Sequence, residues 1–402
     1  MADSVLSALS TLDLTPTDLQ RLGLRSGPLK LRRAWPRTSG HLGLEYTTGC
    51  QRIVPGQWFA DPVRLGRVAR ATARVSQKPS VAIVDVAGTQ VLLQNDGADR
   101  RLRGLAPLLR RPEARLLVHR PERRAVVRFK TAAGLFYGKV VRPERVQKIV
   151  AAGDAVQVRT AGALLTPEVC EVDVEAGVVV WKTLPGISLY ELGARAGFVQ
   201  GVEAAGRALC VLHAAEPPST VAAHDAEAEI GVLRRWLDRL EAFVPDRASS
   251  FRVAAIKIFE ALATSSSPAV LLHRDFYDKQ IFIDDEGRVG LLDFDTLAWG
   301  EAALDLANAL VHFELRALQG RCSIRQAEAA AAAMLRGYHP GPAVYRRLST
   351  YADATRLRIA CVYAFRPYGM PLVPLLLARI GQPVLGANLS QHWIAPQSTP
   401  IC

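Results

Sequence analysis

Residues 273–295, HRDFYDKQIFIDDEGRVGLLDFD, set three carboxylates, Asp275, Asp293 and Asp295, among apolar runs. A charge buried without a partner is costly, so each of them needs a cation, a hydrogen-bond donor or a cleft beside it. The runs QIFID and RVGLLDF flank the turn residues DEG, which predicts a hairpin over 280–294. A hairpin brings its ends together: Asp275, on the loop leading in, approaches Asp293 at the far end. The amide of Gln280, five positions after Asp275, offers a neutral oxygen at the same place. One or two carboxylates, an amide oxygen and room for water or phosphate suit Mg²⁺ in octahedral geometry. The plainer alternative is that Asp275 and Asp293 cap turns or pair with the many arginines. Against it, the spacing, the hairpin and a further acid downstream, Asp305, coincide in one stretch. Asp295 is read either as a second ligand or as a turn residue.

An acid that takes a hydroxyl proton, with an amide and a carboxylate on a divalent ion, is the recurring equipment of phosphoryl transfer. HRDFYDKQ, LLDFD and DLAN resemble, in order and spacing, the H-x-D-x-x-x-x-N, D-x-D and D-x-A series of the aminoglycoside phosphotransferase and choline kinase family, relatives of protein kinases. The resemblance covers about residues 113–380 and is strongest over 271–310. It implies that Asp275 is the catalytic base or orienting group, that Gln280 and Asp293 hold Mg²⁺, that Asp305 is a buried brace for the catalytic loop, and that His273 is structural. It also implies ATP as donor and a hydroxyl of a small molecule as acceptor: a sugar, an amino-alcohol or an aminoglycoside-like compound. Lys139, central in LFYGKVVR, stands where the family carries the lysine on the α- and β-phosphates. In VVVWKTLPG, the backbone of Val180, Trp181 and Lys182 stands where the adenine edge is met.

Several positions depart from the family pattern. Gln280 replaces the usual Asn and is one methylene longer, which brings Mn²⁺, softer in its geometric demands, beside Mg²⁺. The loop HRPERR has no glycine, leaving Arg120, Arg123 or Arg124 to meet phosphates by side chain. Glu144, in the helix that should supply a partner for the lysine, falls in the first turn, where a helix favours acids in any case. Arg274 matches protein kinases, yet no lysine stands two positions after Asp275 and no A-P-E segment follows Asp293. These departures define a second reading, a pseudokinase that binds nucleotide or serves as a scaffold without turnover.

The elements that must hold these residues fall into three regions. Residues 1–112 read as an extension of short helices and one hairpin, SVAIVDVAGTQVLLQN. Residues 113–182 read as strands, ARLLVH, RAVVRFKT, LFYGKVVR and VCEVDVEAGVVVWK, with one helix from Pro143 to Gly153. Residues 183–390 read as long helices at 197–213, 226–244, 251–263, 301–319, 325–338 and 342–365. The expected class is α+β: a bilobal protein-kinase-like fold with a small antiparallel-sheet N-lobe, a helical C-lobe and an N-terminal extension. The acids of HDAEAEIGVLRRW, Asp225, Glu227 and Glu229, could wall an acceptor pocket for a polyamine, but acids in a first turn are also what a helix prefers.

Composition narrows the setting. The 402 residues are 49% hydrophobic and 22% charged, as in ordinary globular chains, and no apolar run reaches the roughly 20 residues of a membrane span. The six cysteines are scattered, with no metal-ligand spacing, and read as reduced, mostly buried thiols in a cytoplasmic protein. A formal charge of +12 would suit nucleic acid, but no recognition motif or aromatic platform accompanies it. Asp61 and Pro62 open a helix on which Arg64, Arg67, Arg70 and Arg74 form a basic face, read as solvated or packed between domains. A partner protein could meet residues 1–112.

Overall fold

A computed structural model describes residues 5–386 except 26, 39, 77–79, 87, 194 and 220; Cys402 lies outside the described residues. Among these residues the extension is richer in strands than its sequence suggests. It opens with helix α1 (Val5–Ala8). Strands β1 (Thr11–Leu12), β2 (Leu29–Thr38), β3 (His41–Thr47), β4 (Ile53–Phe59), β5 (Val81–Val86) and β6 (Thr89–Gln94) join antiparallel in the order β1-β2-β3-β4-β6-β5. The hairpin β5–β6 is the expected one. β2 to β4 are hidden from pattern reading because β3 is buried along its whole length and β2 carries Lys30, Arg32, Arg33 and Pro36. Helix α2 (Pro16–Leu22) starts on a capping box of Thr15 and Asp18. Helix α3 (Pro62–Val75) starts on Asp61, whose carboxylate accepts from the Val63 amide at 2.9 Å. It lays Leu65, Val68 and Ala69 on Phe59 and Leu92, leaving Arg67, Arg70 and Arg74 in solvent.

The N-lobe sheet has the expected strands, β7 (Arg115–Arg120), β8 (Arg124–Thr131), β9 (Gly134–Val141), β10 (Val169–Asp173) and β11 (Val178–Lys182), in the order β10-β11-β9-β8-β7. One face is covered by helix α4 (Leu105–Leu108): Leu102, Leu105 and Leu108 pack on Ala125, Val127, Phe129, Val140 and Val180, so this lobe's core begins ahead of residue 113. Helix α5 (Val146–Arg159) covers the other face, packing Val146 and Ile149 on Val141 and Val179. It runs past Gly153, its expected end, because a mid-helix glycine costs only about 1 kcal/mol and packing outweighs that.

The C-lobe begins with β12 (Ile187–Ser188), α6 (Leu189–Leu192), α7 (Phe198–Ala214), β13 (Ala223–His224), α8 (Ala226–Phe243) and α9 (Pro245–Ala263). Then come β14 (Ala269–Leu272), the hairpin β15 (Ile281–Ile283) and β16 (Val289–Leu291), and β17 (Ala298–Glu301). Helices α10 (Ala303–Leu318), α11 (Ile324–Tyr338), α12 (Pro342–Tyr363) and α13 (Leu372–Ala378) complete it. The helices lie close to their expected bounds, except that α9 starts earlier, at Pro245. No described helix is long and apolar enough to cross a membrane. Of the described cysteines only Cys361 is buried, against the expectation for most of them.

The extension touches both lobes. Its Ala34 amide donates to Phe365 O at 2.8 Å and Trp58 meets Phe243 edge-on at 6.1 Å, both in the C-lobe. On the N-lobe side, Arg37 donates to Pro121 O in the turn between β7 and β8.

Within the C-lobe, α10 and α12 are locked by Arg356, which is fully buried and bonds Glu314 at 2.7 Å. Removing one partner of such a pair strands the other charge in the core. Arg356→Ala should therefore lower the unfolding free energy by about 3 kcal/mol in urea denaturation. A loss below about 1 kcal/mol, the size seen for surface pairs, would show that this ion pair does not hold the lobe.

Candidate active site

The loop that carries Asp275 begins at the end of β14 and is fixed by Asp305, in the first turn of α10 and fully buried. Its Oδ2 accepts the His273 amide at 2.6 Å and its Oδ1 the Arg274 amide at 2.7 Å, while His213 Nε2 donates to it at 3.2 Å. These bonds hold Arg274 in the left-handed region, φ 66°, which turns the chain so that Asp275 follows. His273 Nε2 donates to Leu292 O at 2.9 Å, and its Nδ1 accepts the Asp275 amide at 3.3 Å. That assigns the neutral Nε2–H tautomer from the network and ties the loop to the residue before Asp293. Asn308 donates to Phe276 O at 2.9 Å, and Arg358 donates to Asn308 at 2.8 Å. His213, Asn308 and Arg358 were not singled out from sequence, because they come from three helices that only the fold brings together.

Asp275 is half-buried. Burial pushes its carboxyl above the usual carboxylate range, against the opposing charge of Arg358. Across the hairpin, Leu292 N donates to Gln280 O at 2.9 Å, so the backbones at Gln280 and Asp293 run side by side. Asp293 is itself left-handed, φ 62°, at the start of a 3₁₀ turn, Phe294–Thr296.

Lys139 crosses from the N-lobe to meet these acids. Its Nζ donates to Asp293 Oδ1 at 2.9 Å and to Asp295 Oδ2 at 2.6 Å. Arg124 lies 3.7 Å from Asp293 Oδ2. Burial works to raise the Asp293 pKa, but Lys139 and then Arg124 outweigh it and hold the carboxyl below the ordinary range. Glu144 is not the lysine's partner: it is exposed and lies 3.7 Å from Arg142. A divalent ion fits the donor set. Asp293 leaves its Oδ2 clear of Lys139, the backbone at Gln280 runs beside it, and Asp295 stands within the same lysine's reach, though among the described residues no cluster of three His, Cys, Asp or Glu side chains could hold a metal alone.

The residues expected at the adenine edge, Val180, Trp181 and Lys182, are strand residues of β11. Val180 and Trp181 lie inside the sheet, paired with Gly138 and Tyr137 on one side and with Glu171 and Val169 on the other. The Lys182 amide donates to Glu168 O at 3.0 Å and that of Thr183 to Leu135 O at 3.1 Å. Sheet pairing engages these amides, and the connector Leu184–Gly186 follows them. Gly186 has φ 84°, and a Cβ there would sit 2.0 Å from Ile283 O, so the connector passes directly over the hairpin.

The acids of α8 follow the helix-end account in part. Asp225 caps the helix, accepting the Ala228 amide at 2.9 Å, and Glu227 is exposed and paired with Arg234 at 3.0 Å. Glu229 instead is buried, 2.8 Å from His224 and 4.0 Å from Arg358.

The sequence matches the profile of the phosphotransferase enzyme family over residues 109–348, a span that begins just past α4 and ends in α12. The chain belongs to that family. Its fold is similar to that of an aminoglycoside phosphotransferase from Streptomyces rimosus in complex with ADP and streptomycin, at 18% identity, 58% of this chain, 90% of that one and a TM-score of 0.43. A choline/ethanolamine kinase family protein from Mesorhizobium loti shares 21% identity over 64% of this chain and 83% of its own, with a TM-score of 0.44. An ethanolamine kinase from Plasmodium vivax shares 11% over 68% and 85%, with a TM-score of 0.48. No curated protein matches the phosphotransferase.

Asp305→Asn removes one acceptor oxygen and turns an amide group toward a backbone N–H. The substitution should cost about 3 kcal/mol of stability, because a buried donor loses a charged acceptor. Asp225→Ala, which removes an exposed helix cap, should cost about 1 kcal/mol. Urea denaturation of the two variants side by side checks the difference; equal losses would remove Asp305 as the brace.

Proposed function

We propose that this phosphotransferase moves the γ-phosphoryl group of ATP to a hydroxyl of a small molecule, with Mg²⁺ or Mn²⁺ held by Asp293 and Gln280. The observation that carries this reading is Lys139, reaching from the N-lobe to Asp293 at 2.9 Å and Asp295 at 2.6 Å. A lysine and paired acids at the mouth of the hairpin are the charges that a triphosphate and its metal would reorganise. Bound there, the ion would neutralise charge on the transferring phosphate.

The chain's own residues have separable tasks. Lys139, released from the acids, would hold the donor's phosphates, with Arg124 adding charge in place of a glycine loop. Asp275 orients the acceptor hydroxyl and takes its proton; its raised pKa makes it a stronger base than an exposed aspartate. Asp305, His273 and Asn308 position it without touching substrate. Most of the rate would come from positioning and charge stabilisation. Sugars, amino-alcohols and aminoglycoside-like compounds are the acceptor classes in view, and the scattered cysteines suit work in the cytoplasm.

Saturating Mg-ATP, near 100 times its dissociation constant, should stabilise the protein by about 2.7 kcal/mol. Lys139→Ala should abolish most of that gain in thermal unfolding. Asp275→Asn should keep the gain yet lose turnover by about 10² or more with labelled ATP and a pool of hydroxyl compounds. Wild-type turnover in Asp275→Asn would end the assignment of the base. Stabilisation with no product from any compound would favour the pseudokinase reading.

A further inference from the structure

The proposed transfer leaves unexplained a row of arginines where the extension meets the two lobes. Arg124 stands 3.7 Å from Asp293, and its cross-strand partner Arg120 places its guanidinium 5.1 Å from the ring centroid of Trp35. Arg33, from β2, lies 5.4 Å from the same ring. Arg366 follows Phe365, whose carbonyl accepts from the Ala34 amide between Arg33 and Trp35. The row therefore runs from the metal carboxylate outward to the extension, with Arg366 joining from the C-lobe.

These charges are poorly balanced. Arg124 faces Asp293 and Asp295; beyond it the carboxylate is Glu45, fully buried, whose Oε1 takes Arg33 at 2.7 Å and Arg32 at 3.2 Å and whose Oε2 has no hydrogen-bond partner. Arg120 Nε and Arg124 Nε are buried with no hydrogen-bond partner. Burial first, then Arg124, Arg33 and Arg366, lower the Arg120 pKa to about 9, with Glu45 opposing. Guanidiniums crowded together with unused donors suit a carboxylate or phosphate, which their planar fork fits. A cationic acceptor finds no such welcome, since Asp225, Glu227 and Glu229 are spent on a cap, an exposed pair and a buried histidine.

Two anions could lie along the row: the phosphates of the nucleotide and an acid on the acceptor. Arg124 belongs to the nucleotide end by its distance to Asp293. Arg120, Arg33 and Arg366 lie beyond it. We propose that the acceptor carries a carboxylate or phosphate beside its hydroxyl, and that Arg33, Arg120 and Arg366 bind that group, which makes the extension the specificity element of the site. The hydroxyl chemistry rests on the phosphotransfer reading; the anion site rests on the arginines alone.

The test uses the full chain saturated with Mg²⁺ and a non-hydrolysable ATP analogue, so that the triphosphate positions are filled, and titrates inorganic phosphate by calorimetry. Phosphate should bind, and Arg33→Gln and Arg366→Gln should each weaken it by about tenfold, the worth of one charge-assisted hydrogen bond. Arg366→Gln keeps the test open if Arg33→Gln, which strands Glu45, does not fold. A second arm offers labelled ATP with hydroxy acids and sugar phosphates in one set, amino-alcohols and aminoglycosides in the other; product should come from the acidic set. Absence of phosphate binding, binding indifferent to the arginine variants, or turnover confined to the cationic set overturns the proposal. Phosphate binding that depends on Arg33 and Arg366 with no turnover of either set would support the anion site and remove the phosphotransfer reading.

Discussion

The site depends on one buried charge. Asp305 has no exposure to solvent, and a carboxylate survives there because two backbone amides and His213 point at it. The exchange works both ways. The amides of His273 and Arg274 must face inward to satisfy Asp305, which forces the left-handed Arg274 and so fixes where Asp275 emerges. A non-glycine residue in that region is strained by about 1–3 kcal/mol, so it persists only where its surroundings over-determine it. Here they do, since Thr296 also donates to His273 O at 2.9 Å and Asn308 to Phe276 O at 2.9 Å.

The second constraint links the lobes. Lys139 and Asp293 are joined across 154 residues of sequence, and the same ammonium reaches Asp295. With Glu144 in solvent, α5 supplies no counter-charge, and the acids of the hairpin take its place. The lysine and the candidate metal ligands thus neutralise one another. Nucleotide and ion would have to divide this pair, each taking one member, so their binding would be coupled through the partner each displaces.

Much of the site was legible because its parts are local. The hairpin, its turn and the spacing of Asp275, Gln280 and Asp293 lie within one short stretch, and short strand-like runs broken by tight turns mark β7 to β11. What stayed hidden is non-local or two-sided. β3 is buried along its whole length and shows no alternation. His213, Asn308 and Arg358 sit on separate helices, where a polar residue on an apolar face carries no sign of what it meets. Trp181 read as a hinge residue, but the strand continues through it, and only the pairing with Val169 and Tyr137 shows where the free backbone begins.

The glycine-free turn between β7 and β8 makes sense only with the extension in place. Glu122 adopts φ 61°, its amide donates to Asp99 at 2.7 Å, Arg142 donates to its carbonyl at 3.2 Å, and Arg37 donates to Pro121 O. Asp99 itself is buried and bonded to His119 at 2.9 Å. A turn so bonded offers the Glu122 amide to no phosphate, which leaves contact with anions to side chains such as Arg124. Long side chains reach further than amides but must be aimed, and Trp35 supplies the surface against which Arg120 and Arg33 are aimed. The extension is therefore not an appendage on a finished two-lobed fold: the rigidity of the turn between β7 and β8 is built in from outside, through β2 and the segment that carries Asp99.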